Sequence, residues 1–520
     1  MTGSLAIVLH AHLPYVRHPE HQEFLEENWY YEAAVECYLP LIDALRRLKE
    51  DEVPFALTLN LSPTLVEMMR DPLLSGRLGR RIENLLELCA KEMCRPWSQT
   101  EERVLARFYQ HRLLALREVL DGFCERDLSA GFSKLAGECG ELELLGCAAT
   151  HGFLPFLVSQ PAAARAQIAV GISSHRERFG SAPAGIWLPE CAYDPRLDAP
   201  LAANGIRYFL VETHGLLHGK PAPRYGTLRP VVTEGGLIAF GRDEASARQV
   251  WSAVEGYPGD PFYREFYRDI GRARPRCYIR RHLPAGLPFD TGLKYHRVTG
   301  PTEEKLWYRR AAAIARTREH ATHFVGRRIQ HLEQARDVPN PIIVAPYDAE
   351  LFGHWWFEGP EWLEQVFRAA QGKLGTATLS SYAEEHSPTE TVRLGFSSWG
   401  EHGYGDVWLN PQTDWIYPRL HRMANSMTGM ARRFERPTHL ERRALKQAAR
   451  ELLLAQASDW PFLIRRGGAP HYAQARLRMH MDNFAAIERA LEASCVRRKL
   501  VEPMEERMCP FPEIDYRVYA

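Results

Sequence analysis

The sequence predicts an α/β protein whose main body is a (β/α) barrel, and three observations support this class. Short apolar runs, typical of buried parallel strands, alternate with stretches of helical periodicity, and seven or so strand candidates can be counted. Polar residues directly follow several of these runs, as expected for a barrel whose sites gather at the carboxyl ends of its strands. From residue 410 to 493 the pattern changes to amphipathic helices without a convincing strand.

Length and charge limit the possible ligands. The chain has 520 residues, which is enough for a large α/β body and at least one smaller unit. Its 65 basic residues balance 65 acidic ones, so the net charge is zero. Nucleic acids and anionic membrane surfaces normally require a basic excess, and a neutral substrate is therefore favoured.

Cysteine content and hydropathy favour a cytoplasmic location. None of the ten cysteines lies in a CxxC motif and their density is far below that of a disulfide scaffold, so reduced thiols are expected. No apolar run reaches the roughly 20 residues of a membrane-spanning helix. The run at residues 5–9 is too short for the core of a signal peptide.

The first strand is predicted at residues 4–9 and leads directly into His10 and His12. A helix at 28–49 and a strand at 54–61 complete a β-α-β order. Two histidines two residues apart point the same way at a strand end, which suits a metal pair or hydrogen-bond donors to a ligand. An isolated pair of this kind more often caps a strand with satisfied imidazoles.

A helical insertion is predicted at about residues 62–130, because three helical segments follow one another without a strand: 63–71, 79–94 and 101–126. Beyond it, the strand at 142–149 ends in Thr150 and His151. Later helices are predicted at 161–179 and 304–335, and the remaining strand-like runs are 184–190, 205–212, 237–240, 249–251 and 342–345.

Two acidic residues follow two of these strands in closely similar settings. Glu190 comes directly after Pro189 in WLPE, and Asp348 follows Pro346 in APYD. Each proline is expected to end strand pairing, because it lacks the backbone donor. One such acid is usually a helix cap or a loop residue, but two of them at different strand ends predict a shared site.

Aromatic residues surround this predicted site. Trp355, Trp356, Phe357 and Trp362 follow Asp348, and Pro360 marks the start of a helix. The segment 396–410 adds Trp399 and Trp408 with three glycines, and such a loop could lie over a barrel mouth.

Two carboxyl groups at one barrel face fit retaining glycoside cleavage, in which one attacks the anomeric carbon and the other transfers the proton. Such groups stand about 5 Å apart. His10, His12 and His151 would then contact the sugar. The same histidines with an acid could instead hold a catalytic zinc ion. The sequence contains no GxSxG, GxGxxG or GxxxxGK[ST] motif, which argues against serine chemistry and a nucleotide cofactor.

Five motifs in one order resemble those of glycoside hydrolase family 57, over nearly the whole chain, and the resemblance is closest to its 1,4-α-glucan branching enzymes. The motifs are HAHLPY (10–15), ATHG (149–152), WLPE (187–190), YDAELFGHWWFEGPEW (347–362) and SSWG (397–400).

This resemblance implies an incomplete (β/α)7 barrel at residues 1–395, which includes the insertion, and an α-helical domain at 396–520 that contributes aromatic residues to the site. Glu190 would be the nucleophile and Asp348 the general acid/base. No metal or other cofactor is implied. The substrate-binding residues implied by the resemblance are His10, His12, His151, Tyr225, Trp251, His354, Trp399, Trp408 and Asp459.

The implied activity is cleavage of an α-1,4-glucan, such as amylose or a glycogen-like chain, and its transfer to a 6-hydroxyl by a monomeric enzyme. In this family a mobile loop with a tyrosine lies near the site. Tyr225 looks like that tyrosine, and the segment at 226–236 that follows it is short. If the loop shields the intermediate from water, a short loop favours hydrolysis, so an α-amylase-like hydrolase and a 4-α-glucanotransferase stay as alternatives. A noncatalytic glucan-binding protein is a further alternative.

Overall fold

The computed structural model describes residues 3–96, 98–139, 141–252 and 255–520, with the side chains of Glu138 and Cys139 left out. Its centre is one sheet in the order β6-β7-β5-β4-β3-β2-β1-β8, with β9 paired to β1. The strands are β1 (Ser4–Ala11), β2 (Leu57–Leu61), β3 (Leu142–Cys147), β4 (Gly185–Trp187), β5 (Tyr208–Val211), β6 (Val231–Val232), β7 (Ile238–Gly241), β8 (Ile342–Asp348) and β9 (Gly375–Thr376).

Seven strands form a continuous parallel path from β7 to β8, and β6 is antiparallel to β7. Between β7 and β8 the structure shows no strand ladder in the part of the chain that it describes. A backbone hydrogen bond spans this gap: the Asp243 N–H, two residues beyond β7, donates to the Val344 carbonyl of β8 at 2.8 Å. This arrangement confirms the predicted incomplete (β/α)7 barrel.

Helices surround the sheet, as the buried strands of a parallel sheet require. The α-helices are α1 (Glu27–Ala33), α2 (Leu39–Glu50), α3 (Pro63–Met69), α4 (Pro72–Met93), α5 (Thr100–Glu118), α6 (Leu128–Cys139), α7 (Leu154–Leu157), α8 (Pro161–Phe179), α9 (Asp198–Ala203), α10 (Thr213–Leu217), α11 (Glu244–Trp251), α12 (Ile270–Ala273), α13 (Arg276–Ile279), α14 (Arg310–Gln334), α15 (Gly359–Ala370), α16 (Leu379–Glu385), α17 (Ile416–Arg433), α18 (His439–Ala455), α19 (Asp459–Arg466), α20 (Pro470–Glu492) and α21 (Arg498–Arg507).

The helical insertion between β2 and β3 consists of α3 to α6. The sequence predicted only the first three of these helices. The fourth, LSAGFSKLAGEC, contains two glycines and several small residues, which weaken a local helical signal. Leu128, Phe132 and Leu135 nevertheless lie on its buried face, so tertiary packing holds this helix in place.

Two further predictions about local structure were wrong. Residues 249–251 belong to helix α11, whose first turn is capped by the Asp243 side chain accepting from the Ser246 N–H at 2.7 Å. Pro346 does not end pairing, because β8 stays in register with β1 up to Asp348 opposite His10. β8 is the last strand of the path, where a missing backbone donor can face away from the ladder.

The C-terminal part is helical, as predicted. Helices α17 to α20 share an apolar core with α8, in which Met427, Leu452, Trp460 and Phe484 are fully buried. Nine described cysteines are unpaired, and the Cys139 side chain lies outside the described atoms. Among the described helices, none combines the length and apolar character needed to cross a membrane.

Candidate active site

A cavity of about 690 Å³ lies at the carboxyl ends of the strands. Its walls include ten of the eleven residues predicted for the site: His10, His12, His151, Glu190, Trp251, Asp348, His354, Trp399, Trp408 and Asp459. Tyr225 does not line this cavity. Its ring is partly buried and lies 5.2 Å from the guanidinium of Arg224.

Strand register explains why these residues meet. His10 on β1 lies directly between Asn60 on β2 and Asp348 on β8. His151 follows β3 and Glu190 follows β4. Both residues lie at the same edge of the sheet, because the pairings of β2 with β3 and of β3 with β4 are parallel. The carboxyl ends of parallel strands meet at one edge, and this edge is where the chain concentrates its polar groups.

The backbone is strained at two of these positions. His151 has a φ of 55° and Glu190 a φ of 62°, both in the left-handed region that non-glycine residues rarely adopt. Such conformations cost about 1–3 kcal/mol each and occur mostly at functional sites, where the surrounding structure holds them. Here the Trp399 N–H donates to the Glu190 carbonyl and the Ser458 N–H donates to the His151 carbonyl, at 2.9 and 3.0 Å.

Both oxygens of the Glu190 carboxyl group are engaged by residues beyond the barrel. The Trp399 Nε1–H donates to Oε2 at 2.6 Å, and Ser458 Oγ lies 2.7 Å from Oε1. Burial raises the pKa of Glu190 to about 7, against the opposing effect of these two hydrogen bonds. The carboxyl group is therefore close to half-protonated near neutral pH.

The pKa of Asp348 is raised as well. Burial, followed by the nearby carboxylates of Glu350 and Glu190, raises the pKa of Asp348 well above its ordinary value, although Arg242 and His12 oppose this change. Like charges oppose joint ionisation, so an ionised Glu190 favours a protonated Asp348. A nucleophile and a general acid in one site require this pairing of states.

Glu190 is one end of a chain of four hydrogen bonds through buried side chains. Ser458 Oγ contacts His151 Nδ1 at 2.9 Å, His151 Nε2 contacts His10 Nε2 at 3.0 Å, and His10 Nδ1 contacts Asn60 Oδ1 at 2.7 Å. Asn60 Nδ2 donates to the carbonyls of Leu145 and Gly146, which fixes the amide so that its oxygen accepts.

Proton counting along this chain constrains the state of Glu190. Each of the four contacts needs one hydrogen. Asn60 supplies none, Ser458 supplies one, and two neutral imidazoles supply one each. The fourth must come from a protonated Glu190 or from an imidazolium. Because burial lowers the pKa of both His10 and His151 well below the ordinary value, an imidazolium is disfavoured, and Ser458 donates to His151 when Glu190 is protonated and to the Glu190 carboxylate when it is ionised.

His12 has a different environment. Its Nδ1 contacts Ser62 Oγ at 2.8 Å and its Nε2 lies 3.1 Å from the Asp459 carboxylate. Burial lowers the pKa of His12, but the charges of Asp459, Glu190 and Glu350 outweigh it and raise the pKa above its ordinary value. Among His10, His12 and His151, His12 is thus the imidazole most easily protonated.

The three histidines do not present a metal site. All six ring nitrogens of His10, His12 and His151 have hydrogen-bond partners within the protein. Among the described residues, no group of three or more histidine, cysteine or acidic side chains is arranged to hold a metal ion. Coordination would require several of these hydrogen bonds to break.

The remaining cavity wall is largely aromatic. Trp399, Trp408 and Trp251 line it together with Trp355 and Trp29. The YDAELFGHWW motif turns at Gly353, whose φ is 109° and where an added Cβ would lie 1.8 Å from the Glu36 carbonyl oxygen. This close approach lets His354 Nδ1 reach Glu36 Oε2 at 2.8 Å.

Sequence reasoning missed three polar residues of the site. Asn60 and Arg242 both stand at the carboxyl ends of strands, the same signal that identified the acids, and Ser458 directly precedes the predicted Asp459. Arg242 is held by Glu212 at 2.8 Å and lines the cavity. No local pattern marks Ser458, because only folding brings the start of α19 against β3 and β4.

An incomplete seven-stranded barrel with Glu190 and Asp348 in one cavity at its carboxyl edge fits the class of barrel enzymes that cleave glycosidic bonds. The chain belongs to glycosyl hydrolase family 57, whose model matches residues 6–395. A second model, described as the C-terminal part of 1,4-alpha-glucan branching enzyme, matches residues 419–519. These matches confirm the family resemblance of the motifs.

Three similar proteins extend this comparison. A 1,4-alpha-glucan branching enzyme of Thermococcus kodakarensis is 34% identical over 98% of this chain and 78% of its own length. The alpha-amylase AmyC of Thermotoga maritima has a crystal structure with a TM-score of 0.93 and 37% identity, covering 100% of this chain and 99% of its own. The branching enzyme of Pyrococcus horikoshii matches with a TM-score of 0.89 and 34% identity, covering 100% and 97%.

Proposed function

We propose that this protein is a retaining 1,4-α-glucan branching enzyme. It cleaves an α-1,4 linkage and transfers the released chain to a 6-hydroxyl of a glucan, which creates an α-1,6 branch. The observation that carries the activity is the pair of family matches, a family 57 barrel followed by the C-terminal part of a branching enzyme. The observation that supports the chemistry is the pair of carboxyl groups in one cavity, both with raised pKa values.

The first step uses Asp348 as acid and Glu190 as nucleophile. Asp348 donates its proton to the glycosidic oxygen while the Glu190 carboxylate bonds to the anomeric carbon, so the leaving chain departs as a neutral alcohol. The high pKa of Asp348 keeps this proton available. Glu190 must be ionised at the same moment, although burial favours its protonated form.

Three neighbouring groups stabilise that ionised form. The Ser458 hydroxyl donates to Glu190 Oε1 at 2.7 Å and the Trp399 Nε1–H donates to Oε2 at 2.6 Å, and both hydrogen bonds lower the pKa of Glu190. The positive charge of a protonated His12 lowers the pKa of Glu190 as well.

In the second step the Asp348 carboxylate takes the proton of an acceptor hydroxyl, which attacks the anomeric carbon and releases Glu190. Water competes with this acceptor, and transfer requires that the cavity exclude it. The segment 396–410 supports this requirement, because Trp399 and Trp408 line the cavity and the Trp399 backbone is bound to Glu190. The similarity to an alpha-amylase makes hydrolysis the competing outcome to measure.

Incubation with amylose, followed by an α-1,6-specific debranching enzyme, tests the proposal. We expect new α-1,6 linkages with little increase in reducing ends. Reducing ends that rise without branches would identify a hydrolase, and redistributed chain lengths without branches would identify a 4-α-glucanotransferase. Activity that is lost on chelation and restored by zinc would favour the metal mechanism.

Glu190→Gln and Asp348→Asn separate catalysis from binding. Both variants should lose turnover by orders of magnitude and still bind glucan, whereas unchanged behaviour would favour a noncatalytic binding protein.

We further propose that residues 1–395 form the catalytic region and residues 396–520 a helical domain, and that the enzyme is monomeric and cytoplasmic. The unpaired cysteines support this location, and size-exclusion chromatography tests the oligomeric state.

A further inference from the structure

A second cleft of about 650 Å³ adjoins the catalytic cavity. The two share Trp251, Leu351 and Trp355 in their walls. The outer side of the second cleft is built by the segments 258–267 and 298–305, which lie between α11 and α14. Most of these residues are irregular in structure, and of the residues predicted for the site only Trp251 lines this cleft.

Exposed aromatic rings are the main feature of this cleft. Trp251 is 38%, Trp355 54% and Tyr267 78% exposed. Among the tryptophans that the structure describes, Trp251 and Trp355 are the only ones with more than about a third of the side chain exposed. The Trp355 ring stacks on Phe266 with centroids 4.4 Å apart and an angle of 19°, so one face is supported while more than half of the side chain stays exposed.

A carboxyl group in the wall has an unused oxygen. Glu265 Oε1 pairs with Lys305 Nζ at 3.0 Å, whereas Glu265 Oε2 is buried and has no hydrogen-bond partner. A buried carboxylate oxygen is normally paired, and because Glu265 lines the cleft, rotation of its carboxyl group would let this oxygen accept a hydrogen bond from a ligand there. The Lys305 charge balances that of Glu265, which favours a neutral ligand.

These features together fit a sugar chain. The apolar C–H face of a pyranose ring packs on an aromatic ring, and its hydroxyls donate to charged acceptors at the rim. Shared walls at Trp251 and Trp355 make the second cleft continuous with the catalytic cavity. One chain can therefore occupy both.

We propose that the cleft lined by Glu265, Phe266, Tyr267 and Lys305 binds an α-1,4-glucan chain that extends out of the catalytic cavity. This inference rests on the proposed function for the identity of the ligand. It predicts a dependence on chain length, because a short oligosaccharide fills only the catalytic cavity and a long chain also contacts Tyr267.

Tyr267→Ala tests the cleft, and Tyr267→Phe is the matched control that keeps the ring. Tyr267 is mostly exposed, so neither change should alter the unfolding temperature. We expect Tyr267→Ala to lower kcat/KM on amylose about tenfold, the effect of losing one aromatic contact of ordinary strength. Its activity on a short chromogenic maltoside should stay within twofold of wild type, and Tyr267→Phe should resemble wild type on both substrates.

Equal effects of Tyr267→Ala on long and short substrates, or no effect on either, would overturn the proposal. Direct binding separates this inference from the proposed function. In a Glu190→Gln background, Tyr267→Ala should weaken retention in an amylose-containing gel whatever reaction the wild-type enzyme catalyses. Unchanged retention would refute the cleft assignment even if branching activity is found.

Discussion

Replacement of Ser458 by alanine tests the hydrogen-bond chain that ends at Glu190. The Ser458 hydroxyl is buried and lies 2.7 Å from Glu190 Oε1 and 2.9 Å from His151 Nδ1, whereas those two atoms are 3.7 Å apart. Alanine removes one oxygen atom from this position and leaves both neighbours in place. The change therefore acts on the ionisation of Glu190 with little effect on packing.

The expected size follows from the hydrogen bond that is lost. A hydrogen bond to a charged group contributes about 1.5–3 kcal/mol, and one pKa unit corresponds to about 1.4 kcal/mol. Because the Ser458 hydrogen bond lowers the pKa of Glu190, its loss should raise that pKa by about one to two units from its value of about 7. The ionised fraction at pH 7, and with it kcat/KM, should fall roughly 5- to 50-fold.

A pH profile of kcat/KM measures this shift. In the wild-type enzyme activity rises with pH through the pKa of Glu190, so the acidic limb should lie near pH 7 and move upward in Ser458→Ala. Ser397→Ala is the control, because Ser397 is also buried but its hydroxyl has no hydrogen-bond partner. An acidic limb that does not move in Ser458→Ala, or that moves equally in both variants, would refute the reasoning.

Three further predictions concern the same cavity. Trp399→Phe removes the donor to Glu190 Oε2 and should also move the acidic limb upward, whereas Trp408→Phe should not, because the Trp408 Nε1–H has no partner. Asp348→Asn should lower kcat/KM on amylose about 10²- to 10⁴-fold, but much less on an α-maltosyl fluoride, whose leaving group needs no proton; equal losses on both would contradict its role as acid. Glu190 has a pKa of about 7 against an ordinary 4.5, so the folded state favours the protonated form and stability is lost as pH rises through this interval. The Glu190→Gln variant cannot ionise at this position, so its unfolding free energy relative to that of the wild type should grow by roughly 3 kcal/mol between pH 4 and 8 in denaturant titrations. A difference that stays constant with pH would show that the pKa of Glu190 is not raised.

Local pattern was sufficient for most elements of the barrel. Helix α8 was predicted at its observed bounds, and β1 and β3 within two residues at each end, because their apolar runs are long and uninterrupted. Local pattern failed where a short strand-like run lies in surroundings that favour a helix. Residues 249–251 are β-prone by composition, yet the Asp243 cap and the buried face of α11 make them helical.

The sequence by itself determined the fold class, the family and the position of the acidic residues, because each of these depends on neighbours along the chain. Apolar runs that end in WLPE and YDAE place Glu190 and Asp348 at strand ends whatever the rest of the chain does. Only the tertiary structure decided the electrostatic state of the site. The partners of Glu190 are Trp399 and Ser458, more than 200 residues away, and a pKa depends on the groups that burial brings within a few ångströms.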